Sequence, residues 1–444
     1  MADAAPALKR ELRLWDLVFL NVACVASVRW LGAAAHAGPG SITLWLLAIA
    51  GFFIPSALVV SSLSQRFPDE GGLYIWSKRA FGDWHGFNCA WLYFLSNLLF
   101  IPSLALTGVA ISGYIWHTDP AALAQNRTYT LTFTLLLLCG AYLAHLFGLN
   151  IGKWAGNIGG GATYISAALL VLVAGWIAYK QGSVTHFNLM PAPSWDNLNT
   201  WSQIAFALVG LELGPILGGE MVNPRRDIPR AAWIGALGCA AFYIAGTAAV
   251  LVLVAPPDAN QITGPAQAGF SAGLRLGWKV FSPAFALLIV CGIFGSLASW
   301  IAGNTRLPFV IGLDHYLPPA FAKLHPRWGT PYVSILFQAA AAIVLLAATQ
   351  AGETVAAAYQ ILVDMTVITT FLPYVYIFGA GWKFGQRVAA GCGLTISIAA
   401  ILLSIVPPPE VTSWQVFELK VIGGSLFLTG IGWAIFARRN RSAW

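Results

Sequence analysis

The chain has 444 residues, 58% of them hydrophobic and only 9% charged, with a mean hydropathy of +0.72. That apolar share far exceeds a soluble domain's and marks a polytopic membrane protein. The +7 net charge is accounted for below by loop asymmetry and calls for no nucleic-acid partner. All six cysteines lie in apolar stretches with no CxxC pair, so neither a disulfide framework nor a metal site is expected.

Apolar runs of at least about 18 residues mark spanning helices. Twelve are predicted, at 14–37, 41–65, 85–116, 128–147, 153–179, 200–220, 231–255, 278–305, 331–348, 355–380, 386–406 and 415–437. If both ends are cytoplasmic, lysine and arginine divide 18 to 4 between the two sides, the outer four being Arg127, Lys180, Arg275 and Lys279. That asymmetry orients the chain with both termini inside, in a cell membrane. The charged start ahead of the first run is expected to be retained rather than cleaved as a signal peptide. The longest polar connections are expected at 66–84 and 306–330 inside, the latter ordered and partly helical, and at 180–199 and 256–277 outside.

Two runs are defective at mid-span. In the first, Val25-Ala26-Ser27-Val28-Arg29-Trp30-Leu31-Gly32 places an arginine among small residues. In the sixth, Phe206-Ala207-Leu208-Val209-Gly210-Leu211-Glu212-Leu213-Gly214-Pro215 places two glycines, a carboxylate and a proline. A charge at the bilayer centre costs about 2.5 kcal/mol or more, so Glu212 and Arg29 are functional-site candidates. Interrupted helices at corresponding places in two halves point to the binding site of a secondary transporter. Residues 14–179 (helices 1–5) and 200–380 (helices 6–10) are therefore read as related halves. Helices 11 and 12 at 386–437 follow, between tails 1–13 and 438–444.

Three further motifs lie on the inner side. They are Phe67-Pro68-Asp69-Glu70-Gly71-Gly72-Leu73-Tyr74 with Ala80-Phe81-Gly82, then Gly219-Glu220-Met221-Val222-Asn223-Pro224 running to Ile228-Pro229-Arg230, then Leu317-Pro318-Pro319 with Thr330-Pro331. In this order they resemble the amino acid–polyamine–organocation superfamily of permeases over nearly the whole chain. Val25 to Arg29 and Val363-Asp364-Met365-Thr366 look most like its glutamate/GABA-antiporter branch. The resemblance implies an all-α fold of twelve transmembrane helices. It is a leucine-transporter-like five-plus-five inverted repeat plus two C-terminal helices, with helices 1 and 6 broken. It implies amino acid or amine transport by alternating access.

Broken helices leave N–H groups at one half-helix end and carbonyls at the other, carrying about half a charge each. Such ends suit a zwitterion. A substrate carboxylate is therefore expected at Ala26, Ser27 and Val28, and its ammonium at the carbonyls of Ala23 and Cys24 and of Phe206 and Leu208, with Gly210 within the second break. The first break lacks the glycines that the family usually has there. By resemblance, Phe206 and Trp300 are candidate aromatic gates, and Asn97, Tyr93 and Tyr374 are further candidates of that kind; ordinary core packing is the alternative for each. Arg29 is expected either to bind substrate or to pair with Glu212, since neither charge can stay uncompensated in the membrane. Asp364, Glu418 and Lys420 rank lower.

Coupling to an ion is less marked. Proton-coupled relatives carry a lysine where Thr163 stands, and the Ser296 and Ser299 hydroxyls are three residues apart, a weak sodium signal. Exchange, or proton coupling through Glu212, is the expectation. An intramembrane enzyme would need convergent ionisable groups, and the seven histidines form no HExxH pattern. A transport-derived sensor would need a signalling segment, for which tails of about a dozen and seven residues are expected to leave no room. No cofactor is expected; the partners are a small amino acid or amine, protons as a candidate ion, and the bilayer. Nothing in the sequence sets the oligomeric state.

Overall fold

The computed structural model describes residues 10–116, 120–191, 195–349, 355–404, 415 and 422–442. Apart from a bridge between Leu12 and Met221, these residues are helices and their connections. The first span is two helices, α1 (Leu14–Val25) and α2 (Arg29–His36), bent by 40° at the break. Then come α3 (Ser41–Arg66), α4 (Leu73–Phe81), α5 (Asp83–Ser112), α6 (Pro120–Gln125), α7 (Arg127–Leu146) and α8 (Leu149–Gln181). The sixth span is also broken: α9 (Trp195–Ala207), then α10 (Leu213–Ile216), with a 3₁₀ turn at Gly218–Glu220. The rest are α11 (Pro224–Leu253), α12 (Gly264–Leu276), α13 (Phe281–Leu313), α14 (Tyr332–Thr349), α15 (Val355–Lys383), α16 (Arg387–Ser404) and α17 (Gly424–Ser442). Each of the twelve expected runs overlaps, among the described residues, a helix or a broken pair. Among the described residues, seven helices are long and apolar enough to span a membrane, eight if the bent first pair counts as one.

Two connections read as polar loops contain helices instead. The 66–84 segment holds α4, and 256–277 holds α12. Both helices are short and carry charges or glycines, so a search for membrane-length apolar runs passes over them. The motif at 223–230 forms the first turns of α11, with Pro224 at its first position, where the absent N–H costs nothing. The 306–330 segment is partly helical as expected. Helix α13 runs through Pro308 to Leu313, and a 3₁₀ turn covers Pro319–Ala322.

With little hydrophobic drive between helices in lipid, association depends on close packing of small residues. The pairing of α8 with α13 works this way. A Cβ added at Gly159 would collide with the Gly295 backbone, and one at Gly156 would meet Ser299 Oγ at 2.8 Å. Ser299 thus belongs to this stripe. Thr163 joins it too, its Oγ1 lying 2.6 Å from where a Gly292 Cβ would sit. Helices α5 and α15 pack on each other, and α5 also packs on α13; α11 packs on α1, α3 and α8. The two broken spans lie enclosed by these helices.

Candidate functional site

The two breaks abut. A Cβ at Gly210 would come within 3.0 Å of Val25 Cγ2 and 3.3 Å of Cys24 Cβ. Gly210 also has φ +134, a conformation L side chains rarely adopt, so both sterics and backbone call for glycine there. In the first span, Ala26 N–H makes the last helical bond to Val22 O, and the chain is helical again from Val28. Residues 208–212 form the second break, between α9 and α10.

Tyr243, from the middle of α11, joins the breaks. Its hydroxyl accepts the Ser27 N–H at 3.2 Å and lies against the carbonyls of Val25 and, at 3.0 Å, Ala207. With one proton it donates to one of these carbonyls at a time. The phenol ring stacks on Trp45, at 4.1 Å and 13°, and the Trp45 indole N–H donates to Thr247. Trp300 Nε1–H meets another end group, the Cys24 carbonyl, at 3.2 Å. Helix ends that a membrane interior would leave orphaned are thus answered by Tyr243 and Trp300.

One aromatic layer lies beside the breaks. Phe206 packs edge-on against Trp30 at 5.5 Å and against Phe100 at 5.9 Å, and Phe100 packs against Trp300 at 5.2 Å. All four are buried. The expected pair Phe206 and Trp300 is therefore bridged by Phe100 rather than in isolation.

The charges lie on either side of the breaks. Glu212 is fully buried and accepts from Tyr93 at 2.7 Å, from the Tyr374 hydroxyl and from Gly210 N–H at 3.1 Å. Arg29 donates to Ser103 at 3.2 Å and lies 4.0 Å over the Trp30 ring and 5.2 Å over Phe100. Among the described residues, no ion pair joins Arg29 to Glu212. The reason is chain direction. Helices α1 and α2 lead away from the end where Leu12 meets Met221, whereas α9 and α10 lead toward it. Each charge follows its break, so the two project to opposite sides of it.

The other candidates are placed as follows. Ala23, Cys24, Ala26, Ser27 and Val28 are buried around the first break, and Leu208 in the second. Tyr374 reaches both Glu212 and Gly210 N–H. Asn97 is buried one turn past Tyr93 on α5 and donates to its carbonyl at 3.0 Å. Glu418 and Lys420 lie outside the described residues, as does the Asp364 side chain. Sequence reasoning missed Tyr243, Phe100, Trp30 and Ser103. An aromatic in an apolar helix carries no periodicity signal of its own, though a tyrosine at mid-span implies a hydroxyl that needs a partner.

The lysine- and arginine-rich end is sealed by polar contacts. Arg306 Nε donates to Glu220 Oε1 at 2.8 Å and Nη2 to Oε2 at 3.2 Å. The Glu220 carbonyl accepts the N–H groups of Glu11 and Leu12, and Val222 N–H donates to Leu12 O. Asp16, near the start of α1, accepts from Asn157 at 3.0 Å and faces Lys153 at 3.6 Å, both on α8. Tyr74 and Lys78 on α4 both bond Asp314 after α13.

Comparison with known proteins bears on the family and the fold. The description of the amino acid permease family matches residues 12–427. The chain is 27% identical to an uncharacterized transporter of Legionella pneumophila, over 97% of each. It is 25% identical to a probable agmatine/putrescine antiporter of Lactococcus lactis, over 84% of this chain and 80% of that one. Among solved structures it is similar to MhsT in complex with L-phenylalanine, with a TM-score of 0.64 and 14% identity over 96% and 99% of the two chains. That likeness identifies the fold as leucine-transporter-like.

Proposed function

Because this chain belongs to the amino acid permease family, we propose that it is a secondary transporter of an amino acid or related amine, working by alternating access. The lysine- and arginine-rich end is taken as cytoplasmic, following the loop asymmetry. Residues 14–179 and 200–380 then serve as the two halves that rock about the substrate. The observation that carries the reading is the meeting of two helix breaks inside an aromatic enclosure, with a buried cation on one side and a buried carboxylate on the other.

In this reading the substrate carboxylate lies toward the N–H groups at Ser27 and Val28, ahead of α2, taking over the Ser27 N–H from the Tyr243 hydroxyl. The Ala26 N–H, also expected to bind it, is held instead by the Val22 carbonyl. The ammonium lies toward the carbonyls at Ala23, Cys24, Phe206 and Leu208. Phe206 and Trp300 close over it from the outer side together with Trp30 and Phe100. Tyr93, Tyr374 and Glu212 form the floor toward the cytoplasm, with Asn97 above Tyr93. Glu212 offers the site a carboxylate that can bind an ammonium, or a proton in exchange for one. Arg29 supports a substrate that bears a carboxylate over a bare diamine, since a guanidinium binds carboxylates strongly and repels a second cation.

Counterflow in proteoliposomes against a panel of acidic, neutral and basic amino acids and diamines tests this. Exchange of at least one amino acid supports the reading, and diamines alone would remove the role given to Arg29.

A further inference from the structure

The loop before α4 carries a carboxylate that none of the roles above uses. Glu70 Oε2 accepts the Gly219 N–H at 2.5 Å, and Gly71 N–H donates to Ile216 O at 3.1 Å. A Cβ at Gly218 would come within 2.6 Å of Pro68 O. The 67–72 loop is therefore pressed onto the 215–220 segment that follows the second break. Glu70 Oε1 is shielded from solvent and has no hydrogen-bond partner among the described residues. A carboxylate oxygen in that position is costly as an anion and much less so as a protonated hydroxyl.

The neighbouring charges sharpen the point. Facing Glu70 are Glu220, from the segment after α10, and Arg306, from α13. Arg306 is the cation that acts on Glu70, and Glu220 already holds it through two bonds. Of the other groups nearby, Asp69 is exposed, the Tyr74 hydroxyl is turned to Asp314, and Glu11 meets Glu220 through its backbone N–H. Closing this end thus shields the Glu70 carboxylate beside a second carboxylate that already holds the guanidinium. A cavity of about 160 Å³, lined in part by Glu11, Glu220, Arg306 and Arg327, lies on the Glu220 side of this contact.

We propose that Glu70 is a proton-binding site of the cytoplasmic closure: it holds a proton while the 67–72 loop lies on the 215–220 segment and releases it to the cytoplasm when that contact opens. The inference rests on the transport reading for its direction and on the local geometry for its chemistry. Burial, and then the Glu220 charge, push the Glu70 carboxyl well above the usual carboxylate range in the closed form, against the opposing pull of Arg306 and the Gly219 N–H. Once the carboxyl is hydrated that push is gone and the group returns to the ordinary carboxylate range. A raised pKa in the closed form means that Glu70 favours closure fully at low pH and loses that contribution as pH rises through the raised value. Acid on the cytoplasmic side therefore holds this end shut.

The test compares wild type, Glu70→Gln and Glu70→Ala as the cytoplasmic-side pH is raised from about 5 to about 8. Two readouts are taken: initial counterflow of a labelled amino acid in proteoliposomes, and melting temperature of the purified protein. In wild type, counterflow should rise and the melting temperature fall with pH. Glu70→Gln keeps the shape of a protonated carboxyl, so its counterflow should stay at the slow acid level and its melting temperature should not fall. Glu70→Ala should also lose both responses, which guards against a folding defect peculiar to glutamine. A wild type insensitive to pH, or a Glu70→Gln protein that follows wild type, overturns the proposal. Absence of counterflow by wild type with every amino acid and amine would instead sink the transport reading, leaving the melting series to decide Glu70.

Discussion

The Tyr243 hydroxyl accepts the Ser27 N–H at 3.2 Å, tying the first helix break to a residue 216 positions away in α11. The same oxygen lies against the Val25 and Ala207 carbonyls, so one side chain serves end groups of both broken spans. Tyr243→Phe retains the stack on Trp45 but leaves buried backbone groups without this partner, at a cost of about 1–3 kcal/mol. A lower melting temperature together with slower transport is expected. A variant indistinguishable from wild type in both would mean that the breaks are held by other contacts.

Glu212 and Tyr374 should behave as one unit. Because the tyrosine donates to the buried carboxylate, a double-mutant cycle with Glu212→Gln and Tyr374→Phe should show a coupling of about 0.5–3 kcal/mol in stability. Arg29→Gln combined with Glu212→Gln should be additive to within about 0.5 kcal/mol, since the two share no hydrogen-bond partner among the described residues. Strong coupling of Arg29 with Glu212 would revive the direct pair.

That pair shows where the sequence is legible and where it is not. The apolar runs, the two breaks and the burial of Arg29 and Glu212 beside them could be read directly, because apolar length and an isolated mid-membrane charge are local signals. The relation between the charges could not. It depends on chain direction: a residue after the break of a span running one way and a residue after the break of a span running the other way project to opposite sides. Tyr243 and Phe100 were hidden for a different cause, since their roles come from distant backbone and ring partners and leave no mark in their own helices. Helices α4 and α12 were hidden because they are too short and polar to resemble spans.

The aromatic layer supplies a separable pair of outcomes. Trp300→Phe preserves a ring against Phe100 but removes the indole N–H bonded to the Cys24 carbonyl. It should fold near normally and transport more slowly. Phe206→Ala opens the contact with Trp30 and Phe100 and should abolish transport, while lowering stability by about 3–5 kcal/mol if the ring is packed as core. Unchanged uptake in both variants would return these rings to ordinary packing.

Orientation can be checked independently of activity. A single cysteine placed at His186, exposed in the connection between α8 and α9, should react in intact cells with a membrane-impermeant thiol reagent when the native cysteines have been removed. Labelling only after the cytoplasmic face is opened would reverse the assignment of the basic end.

The most direct test of the account is counterflow by the purified protein in proteoliposomes, comparing wild type with Phe206→Ala across the amino acid and diamine panel. The account predicts saturable exchange of at least one amino acid by wild type, lost in Phe206→Ala. Folded wild-type protein that exchanges no amino acid or amine, or exchange that persists undiminished in Phe206→Ala, would contradict it.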